Sequence, residues 1–200
     1  MPRRAAWRYP REPIIFLKAP TSLVGPNDDL VIPRNATKVD WEVELAVVIA
    51  KKALYIAKED AMDHVAGFAL HNDYSERSFQ LEGGGQWVKG KSADTFAPLG
   101  PFLATKEEFP NLRQLRMWLT VNGNLRQDSS TANMIFDIPT LVPYVSDFMT
   151  LLPGDIISTG TPAGVGLGMT PATFLKAGDV VELGIEGLGR SRQRVVEFHP

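Results

Sequence analysis

The chain has 200 residues, of which 44% are hydrophobic, with a formal net charge of −2 and no cysteine. One domain with one sizeable core is the default for this length. The near-neutral charge argues against a nucleic-acid partner, and the lack of cysteine excludes disulfides and thiolate metal sites. Because no apolar run could cross a bilayer and no signal-peptide core is visible, we expect a soluble cytoplasmic protein without a membrane partner.

The predicted elements of the first half are short. They are strands at Ile14–Lys18, Leu30–Ile32 and Trp41–Ile49, a short helix at Lys58–His64 and a buried strand at Val65–Asn72. The helix carries Glu59 and Asp60 early, where acids favour a helix start. The 17 glycines and 15 prolines of the chain punctuate it often, which favours many short strands over a helix bundle.

The second half contains the clearest hairpin signal. Asn122-Gly123 stands between two strand-like segments, Arg116–Val121 and Asn124–Asp128. A helix is predicted from apolar residues at helical spacing, with Asp137 as its cap and Pro139 at its start; these residues are Leu141, Val145, Phe148 and Leu152. Further strands follow at Asp155–Thr159, Asp179–Ile185 and Arg190–Phe198. Without regular long helices between strands, the pattern predicts a mostly β (α+β) fold with short helices.

Two acidic residues lie on one face of an otherwise buried strand. Since side chains alternate along a strand, Glu42 and Glu44 point the same way, with Asp40 beside them. Carboxylates at the mouth of a buried strand are costly unless a positive group compensates them. A divalent cation such as Mg²⁺ prefers oxygen ligands and could do so. The alternative is that this face of the strand lies in water.

Asp73 ends the next buried strand and could supply a third carboxylate. Three carboxylates would leave about three positions of an octahedral ion for water or substrate oxygens. The alternative is that Asp73 caps a helix, with Ser75 and Glu76 following it. His71 lies two residues earlier, hence on the same strand face, and could act as a base, support the ligands or be structural.

The segment Gly85–Ser92 matches the phosphate-loop pattern of NTPases. That loop requires a hydrophobic strand before it and a helix after it, whereas Pro98 and Pro101 leave little room for such a helix. We therefore interpret Lys91 as a positive group directed at an anionic substrate or a developing oxyanion. The alternative is an exposed lysine. Farther on, the glycine-rich segment after Ser158 could let the backbone approach a ligand, with Thr161 offering a hydroxyl and an amide.

Together these segments resemble one family, the fumarylacetoacetate hydrolase family, in its small single-domain branch that includes acylpyruvate hydrolases. The resemblance covers the chain from about Pro13 and rests on the order and spacing of its segments. These are Pro13–Pro26, Asp40–Ile49, Val65–Gln80, Lys91–Gly100, Asp137–Gly166 and Phe174–Gly189. It implies a mixed β-roll, a homodimer, and a catalytic domain at residues 13–200 behind an N-terminal extension at residues 1–12.

The resemblance also implies the site. Mg²⁺ or Mn²⁺ would bind to Glu42, Glu44 and Asp73, and Lys91 would lie beside the substrate. Further pocket candidates are Gln80, Thr95 and Thr161, with Phe16 and Lys18 on a stretch flanking the pocket.

Family substrates are 2-oxo acids with a second carbonyl or an enol. The resemblance therefore implies a metal-dependent hydrolase that cleaves a C–C bond of a 2,4-diketo, acylpyruvate-type acid through a metal-stabilised enolate. The run from Gly67 to Thr105 looks most like members that cleave 2,4-diketo sugar acids. Decarboxylation, tautomerisation and ureidoglycolate-type lyase chemistry are the alternatives within the same family.

One family segment has no counterpart in this chain. Active members usually carry a His and a Glu that activate water, on a lid ahead of the first strand. Here the first histidine is His64, and Glu12 is the only acid before Pro13. Either the chain is a shortened form or the dyad is lost. Loss would favour a decarboxylase, a tautomerase or a non-catalytic metal-binding homologue.

Overall fold

The computed structural model describes residues 10–109 and 111–199. Its strands are short and fall where apolar residues alternate or run together. They are β1 Leu23–Val24, β2 Leu30–Ile32, β3 Val39–Asp40, β4 Val43–Ile49, β5 Val65–Asn72, β6 Ser75–Glu76, β7 Ala97–Pro98, β8 Ala104–Thr105, β9 Arg116–Val121, β10 Asn124–Ser130, β11 Ile156–Ser158, β12 Val180–Ile185 and β13 Gly189–Glu197.

The helices are few and short. The α-helices are α1 Arg77–Leu81, α2 Trp87–Lys91 and α3 Ile138–Ser146, and 3₁₀ segments occur at Pro20–Ser22, Lys58–His64, Lys106–Glu108, Leu112–Gln114, Thr131–Asn133 and Gly166–Gly168. The prediction of a mostly β fold with short helices is confirmed. None of the helices within the described ranges has the length and apolar character that crossing a membrane requires.

A mixed five-stranded sheet and an antiparallel four-stranded sheet form the body of the fold. Five strands associate in the order β10-β9-β12-β13-β2, and four in the order β11-β4-β5-β8. The pairs β1–β7 and β3–β6 form small additional sheets. One apolar core joins the two larger sheets, with Trp41, Leu45 and Phe68 packed in the same cluster as Leu119 and Leu183.

The β4–β5 pair positions the acidic residues. Its antiparallel register places Glu44 opposite His71 and Val43 opposite Asn72. Beyond the last pair, the Asp73 amide donates to the Glu42 carbonyl at 2.9 Å. Because opposed residues of a sheet point to the same face, Glu42, Glu44, His71 and Asp73 all project to one side of this strand end.

Two predicted elements differ from the structure. Residues 14–18 are not part of a strand, because no described strand pairs with them. The predicted helix through Leu152 ends at Ser146, whose carbonyl accepts a hydrogen bond from the Tyr55 amide at 3.2 Å. The chain then extends, so that Leu151 bridges to Ala53. Most of the predicted extension, residues 1–9, lies outside the described residues.

Candidate active site

Three buried carboxylates converge at the end of the β4–β5 pair. Glu42, Glu44 and Asp73 each offer an oxygen, and these oxygens lie within 4.8 Å of one another. Their side chains belong to residues that are only 7%, 3% and 1% exposed. The interpretation that this strand face lies in water is therefore wrong. The structure brings together all three of the residues that the sequence singled out as candidate ligands.

The ammonium of Lys91 lies between two of these carboxylates. Its Nζ donates to Oε2 of Glu42 at 2.7 Å and to Oδ2 of Asp73 at 2.6 Å. Lys91 is the last residue of α2 and is 1% exposed, so the interpretation as an exposed lysine is wrong. The phosphate-loop geometry is absent here, because Lys91 ends a helix and residues 82–86 before that helix form no strand.

Gly90 allows α2 to pack closely enough to deliver Lys91. A Cβ atom at this position would lie 2.5 Å from the Glu76 carbonyl oxygen and 2.6 Å from the backbone nitrogen of Gln80. Any side chain would collide with rigid backbone there and push the two short helices apart. The glycine of the loop motif thus has a packing role in this fold.

The segment before β1 adds a second lysine and an aromatic ring. Lys18 donates through Nζ to Oδ1 of Asp73 at 2.6 Å and to the Tyr74 carbonyl at 3.2 Å. The Phe16 ring centroid lies 4.8 Å from Nζ of Lys91 and 5.4 Å from the Trp87 ring. The structure therefore places Lys18 on the carboxylate of Asp73 and Phe16 beside Lys91.

Arg77, which the sequence analysis missed, orients Glu42. Its guanidinium donates to Oε1 of Glu42 at 2.6 Å, to Oδ2 of Asp40 at 2.9 Å and to Oε1 of Gln80 at 3.0 Å. Gln80 is 3% exposed and holds this arginine. Its position in the polar segment four residues after Asp73 was the sequence feature that could have indicated a role at the site.

Asp40 is a structural anchor in this arrangement. Besides Arg77, it accepts hydrogen bonds from the amides of Gly166 at 2.6 Å and Leu167 at 2.9 Å. At Gly166 a Cβ atom would lie 1.9 Å from the Thr173 carbonyl oxygen. Close backbone packing therefore requires a glycine there. Asp40 thereby ties the glycine-rich loop to the arginine that orients Glu42.

Glu44 is held from a different side. The Ser158 hydroxyl donates to its Oε2 at 2.5 Å, and the Gly160 amide donates to the same oxygen at 2.8 Å. Ser158 also lies 2.8 Å from Nδ1 of His71. The sequence pattern singled out the glycines of this loop but not Ser158, because no neighbouring residue indicates that Ser158 contacts β4.

The two predicted threonines hold loops to strands. The Thr161 hydroxyl donates to the Val43 carbonyl at 3.0 Å and accepts from Nε2 of Gln127 at 2.8 Å. The Thr95 hydroxyl accepts from the Val31 amide at 2.9 Å. Their roles in substrate binding stay predictions. Asp73 does not cap α1, because the side chain of Glu76 accepts from the Ser78 amide there.

A model of the family domain "Fumarylacetoacetate (FAA) hydrolase C-terminal" matches residues 2–196. The chain belongs to the fumarylacetoacetate hydrolase family. A 2,4-didehydro-3-deoxy-L-rhamnonate hydrolase of Sphingomonas sp. (strain SKA58) is 52% identical over 190 residues, which are 94% of this chain and 67% of that protein. The fold and family inferred from the sequence are thereby confirmed.

Solved structures of fumarylacetoacetate hydrolase family proteins superpose closely. A 2-hydroxyhepta-2,4-diene-1,7-dioate isomerase from Mycobacterium marinum is 39% identical with a TM-score of 0.86, covering 96% of this chain and 71% of that one. Maleylpyruvate hydrolase from Sphingobium sp. SYK-6 is 37% identical with a TM-score of 0.80, covering 92% of this chain and 64% of that one. Both hydrolases and isomerases thus share this fold.

Burial and neighbouring charges together set the electrostatics of this site. Burial, together with the carboxylates of Asp73 and Glu42, raises the pKa of Glu44 to about 8. Burial opposes ionisation of Asp73 as well, but Lys18 and Lys91 lower the pKa of Asp73 to about 2. Burial also acts against the charge of Lys91, yet Glu42 and Asp73 raise its pKa. Lys91 is therefore a fixed positive charge at neutral pH and no proton acceptor.

The donor set fits the divalent cation that the family implies. Four carboxylates, Asp40, Glu42, Glu44 and Asp73, face three cations, Lys18, Arg77 and Lys91. Glu44 makes no ion pair with these three cations, and burial together with the charges of Asp73 and Glu42 raises its pKa. Hard oxygen donors with unbalanced negative charge suit Mg²⁺ or Mn²⁺.

Proposed function

We propose that this chain is a divalent-metal-dependent hydrolase that cleaves a C–C bond of a 2,4-diketo, acylpyruvate-type acid. The observation that carries the proposal is the buried triad of Glu42, Glu44 and Asp73 with Lys91 in contact with two of its members. The relationship to a 2,4-didehydro-3-deoxy-L-rhamnonate hydrolase supports a sugar-derived acyl group.

The reaction consumes one water. Water adds to the C4 carbonyl, the C3–C4 bond breaks, and its electron pair stays on C3 as the enolate of pyruvate. Protonation of C3 then releases pyruvate, and the C4 half leaves as a carboxylic acid. The barrier is lowered by whatever stabilises negative charge on the oxygens of the oxo-acid half.

The side chains present are suited to that task. A Mg²⁺ or Mn²⁺ held by Glu42, Glu44 and Asp73 would supply Lewis acidity toward the oxo-acid oxygens. Lys91 and Lys18 place two further positive charges at Asp73, on the side of Phe16. Arg77 holds Glu42 through Oε1. Lys91 is 1% exposed, with the Phe16 ring centroid 4.8 Å from its Nζ, and this burial strengthens the field of the ammonium.

The test is the loss of enol absorbance of a simple acylpyruvate, measured with Mg²⁺ and then with excess chelator. We expect turnover that the chelator stops and that Glu42→Gln abolishes. Glu197→Gln, at an exposed carboxylate near the end of β13, is the matched control and should keep full activity. Turnover that persists in chelator or in Glu42→Gln would contradict the proposal.

Product analysis separates this hydrolase from the second candidate, an oxo-acid isomerase or tautomerase. The structural similarity to the M. marinum isomerase favours that candidate. Hydrolysis yields pyruvate and a carboxylic acid in equal amounts, whereas isomerisation keeps all carbons in one product. Oxaloacetate is the second substrate to offer, because a decarboxylase of the same family would release CO₂ from it.

The homodimer is part of the proposal as well. The size of the protein in solution, measured by light scattering after gel filtration, tests it: a particle of twice the chain mass supports the dimer, and a particle of one chain mass contradicts it.

A further inference from the structure

His71 and Glu44 are directly opposed on the antiparallel β4–β5 pair. Both are buried, at 4% and 3% exposure. The hydroxyl of Ser158, on β11, connects the two side chains. This hydroxyl is 2.8 Å from Nδ1 of His71 and 2.5 Å from Oε2 of Glu44. Three neighbouring strands thus contribute one residue each to a single row of polar groups.

The direction of these hydrogen bonds follows from proton counting. The Gly160 amide donates to Oε2 of Glu44, which marks this oxygen as an acceptor whether Glu44 is ionised or protonated on Oε1. The single proton of the Ser158 hydroxyl is therefore donated to the same oxygen. With its proton used, Ser158 can only accept from His71. Nδ1 of His71 therefore carries a proton, and the histidine fixes the rotation of the hydroxyl toward Glu44.

We propose that His71 is a positioning residue for the metal ligand Glu44, acting through Ser158. The Ser158 hydroxyl and the Gly160 amide together hold Oε2 of Glu44 and thereby restrain the orientation of its carboxylate. Without the proton of His71, the hydroxyl is free to rotate, and Glu44 loses one of these two restraints. Removal of a residue that orients a metal ligand in this way typically weakens metal binding 10- to 100-fold.

This inference rests on the proposed metal-dependent function, but its first test needs no metal. The tautomer of His71 is read from the ¹⁵N and ¹H shifts of its imidazole ring in the metal-free protein. A proton on Nδ1 is the expected result. A ring protonated only on Nε2 would overturn the inference, because Nδ1 would then accept the Ser158 proton.

The second test compares two variants whose side chains have the same branched arrangement of heavy atoms. His71→Asn keeps an N–H donor at the position of Nδ1, since its amide nitrogen is also three bonds from Cα, whereas His71→Leu has none. Mn²⁺ binding is measured by electron paramagnetic resonance. We expect His71→Asn to bind about as tightly as the unmodified protein, and His71→Leu and Ser158→Ala to bind about 10-fold more weakly or worse.

His64→Leu, at a partly exposed histidine just before β5, is the control for loss of an imidazole and should bind Mn²⁺ normally. Equal affinity of His71→Leu and the unmodified protein would overturn the role of His71 while leaving the metal site in place. Absence of Mn²⁺ binding by the unmodified protein would overturn both, so the two failures are distinguishable. Far-UV circular dichroism of His71→Leu confirms that a weaker affinity is not a loss of fold.

Discussion

Nζ of Lys91 lies 2.6 Å from Oδ2 of Asp73, and both residues are 1% exposed. The two come from different elements, because Lys91 ends α2 and Asp73 follows β5. A buried charge without a partner is costly, so this ion pair is maintained only while α2 stays packed on the sheet. Lys91 also contacts Glu42 at 2.7 Å, so one ammonium supplies a positive charge to two of the carboxylates.

The first prediction concerns that lysine. Lys91→Met removes the positive charge but keeps most of the side-chain volume. We expect kcat/KM for an acylpyruvate to fall about 100- to 1000-fold, the range found when one group that stabilises a developing oxyanion is removed. Steady-state kinetics with Mg²⁺ measure this. Lys89→Met, on the exposed side of the same helix, should retain the activity, and an equal loss in both variants would argue against a specific role of Lys91.

The second prediction concerns the metal and stability. Because the triad carries excess negative charge, Mg²⁺ should bind the folded chain and not the unfolded one. At a Mg²⁺ concentration of 100 times its Kd, this binding raises the free energy of unfolding by about 2.7 kcal/mol. Thermal unfolding with Mg²⁺ or EDTA measures the effect. Glu44→Gln should lose most of it, and a Mg²⁺ shift of the same size in that variant would show that the ion binds elsewhere.

The parts of the site that were predictable from the sequence follow from local periodicity. Residues two positions apart on a strand lie on the same face, and this rule predicted that Glu42 and Glu44 are neighbours. Asp73 was predicted because it is an acid at the end of a buried strand. Each of these statements needs only one strand. The family resemblance added Lys18 and Phe16, which no pattern of charges would have selected.

The missed residues depend on contacts between distant segments. Arg77 lies 35 residues after Glu42, and Ser158 lies 114 residues after Glu44. No spacing rule links such positions, because the pairing arises only once the sheets have formed. The predicted helix was too long for the same reason. It ends where the Ser146 carbonyl accepts a hydrogen bond from the amide of Tyr55, which lies 91 residues earlier in the chain.

The third prediction tests the packing of α2. Gly90→Ala forces a Cβ atom to within 2.5 Å of the Glu76 carbonyl oxygen, a contact that needs a backbone shift. We expect a loss of about 1–3 kcal/mol in the free energy of unfolding, together with reduced activity because Lys91 moves with α2. Urea unfolding measures the first effect. Gly168→Ala is the control, because its nearest contact would be an ordinary 3.8 Å. A Gly90→Ala protein as stable and active as the control would contradict this account.

The fourth prediction concerns the start of α3 and its dependence on pH. The carboxylate of Asp137 accepts hydrogen bonds from the amide of Thr140 at 3.1 Å and from its hydroxyl at 2.6 Å. The hydroxyl bond is the main reason why the pKa of Asp137 is lowered. Replacing such a capping residue by alanine costs about 1 kcal/mol at neutral pH.

The sign of the pH effect follows from that lowered pKa. A carboxyl whose pKa is lower in the folded state adds stability above its unfolded pKa of about 3.9 and loses this contribution as the pH falls through the folded value. The difference in unfolding free energy between the unmodified protein and Asp137→Ala should therefore be full at pH 7 and shrink below about pH 4. Asp137→Asn keeps a capping side chain without the charge, so its deficit at pH 7 should be smaller than that of Asp137→Ala. Urea unfolding of the three proteins at pH 7 and at a series of lower pH values measures both effects. A difference that stayed constant or grew toward low pH would show that the carboxylate does not stabilise this helix.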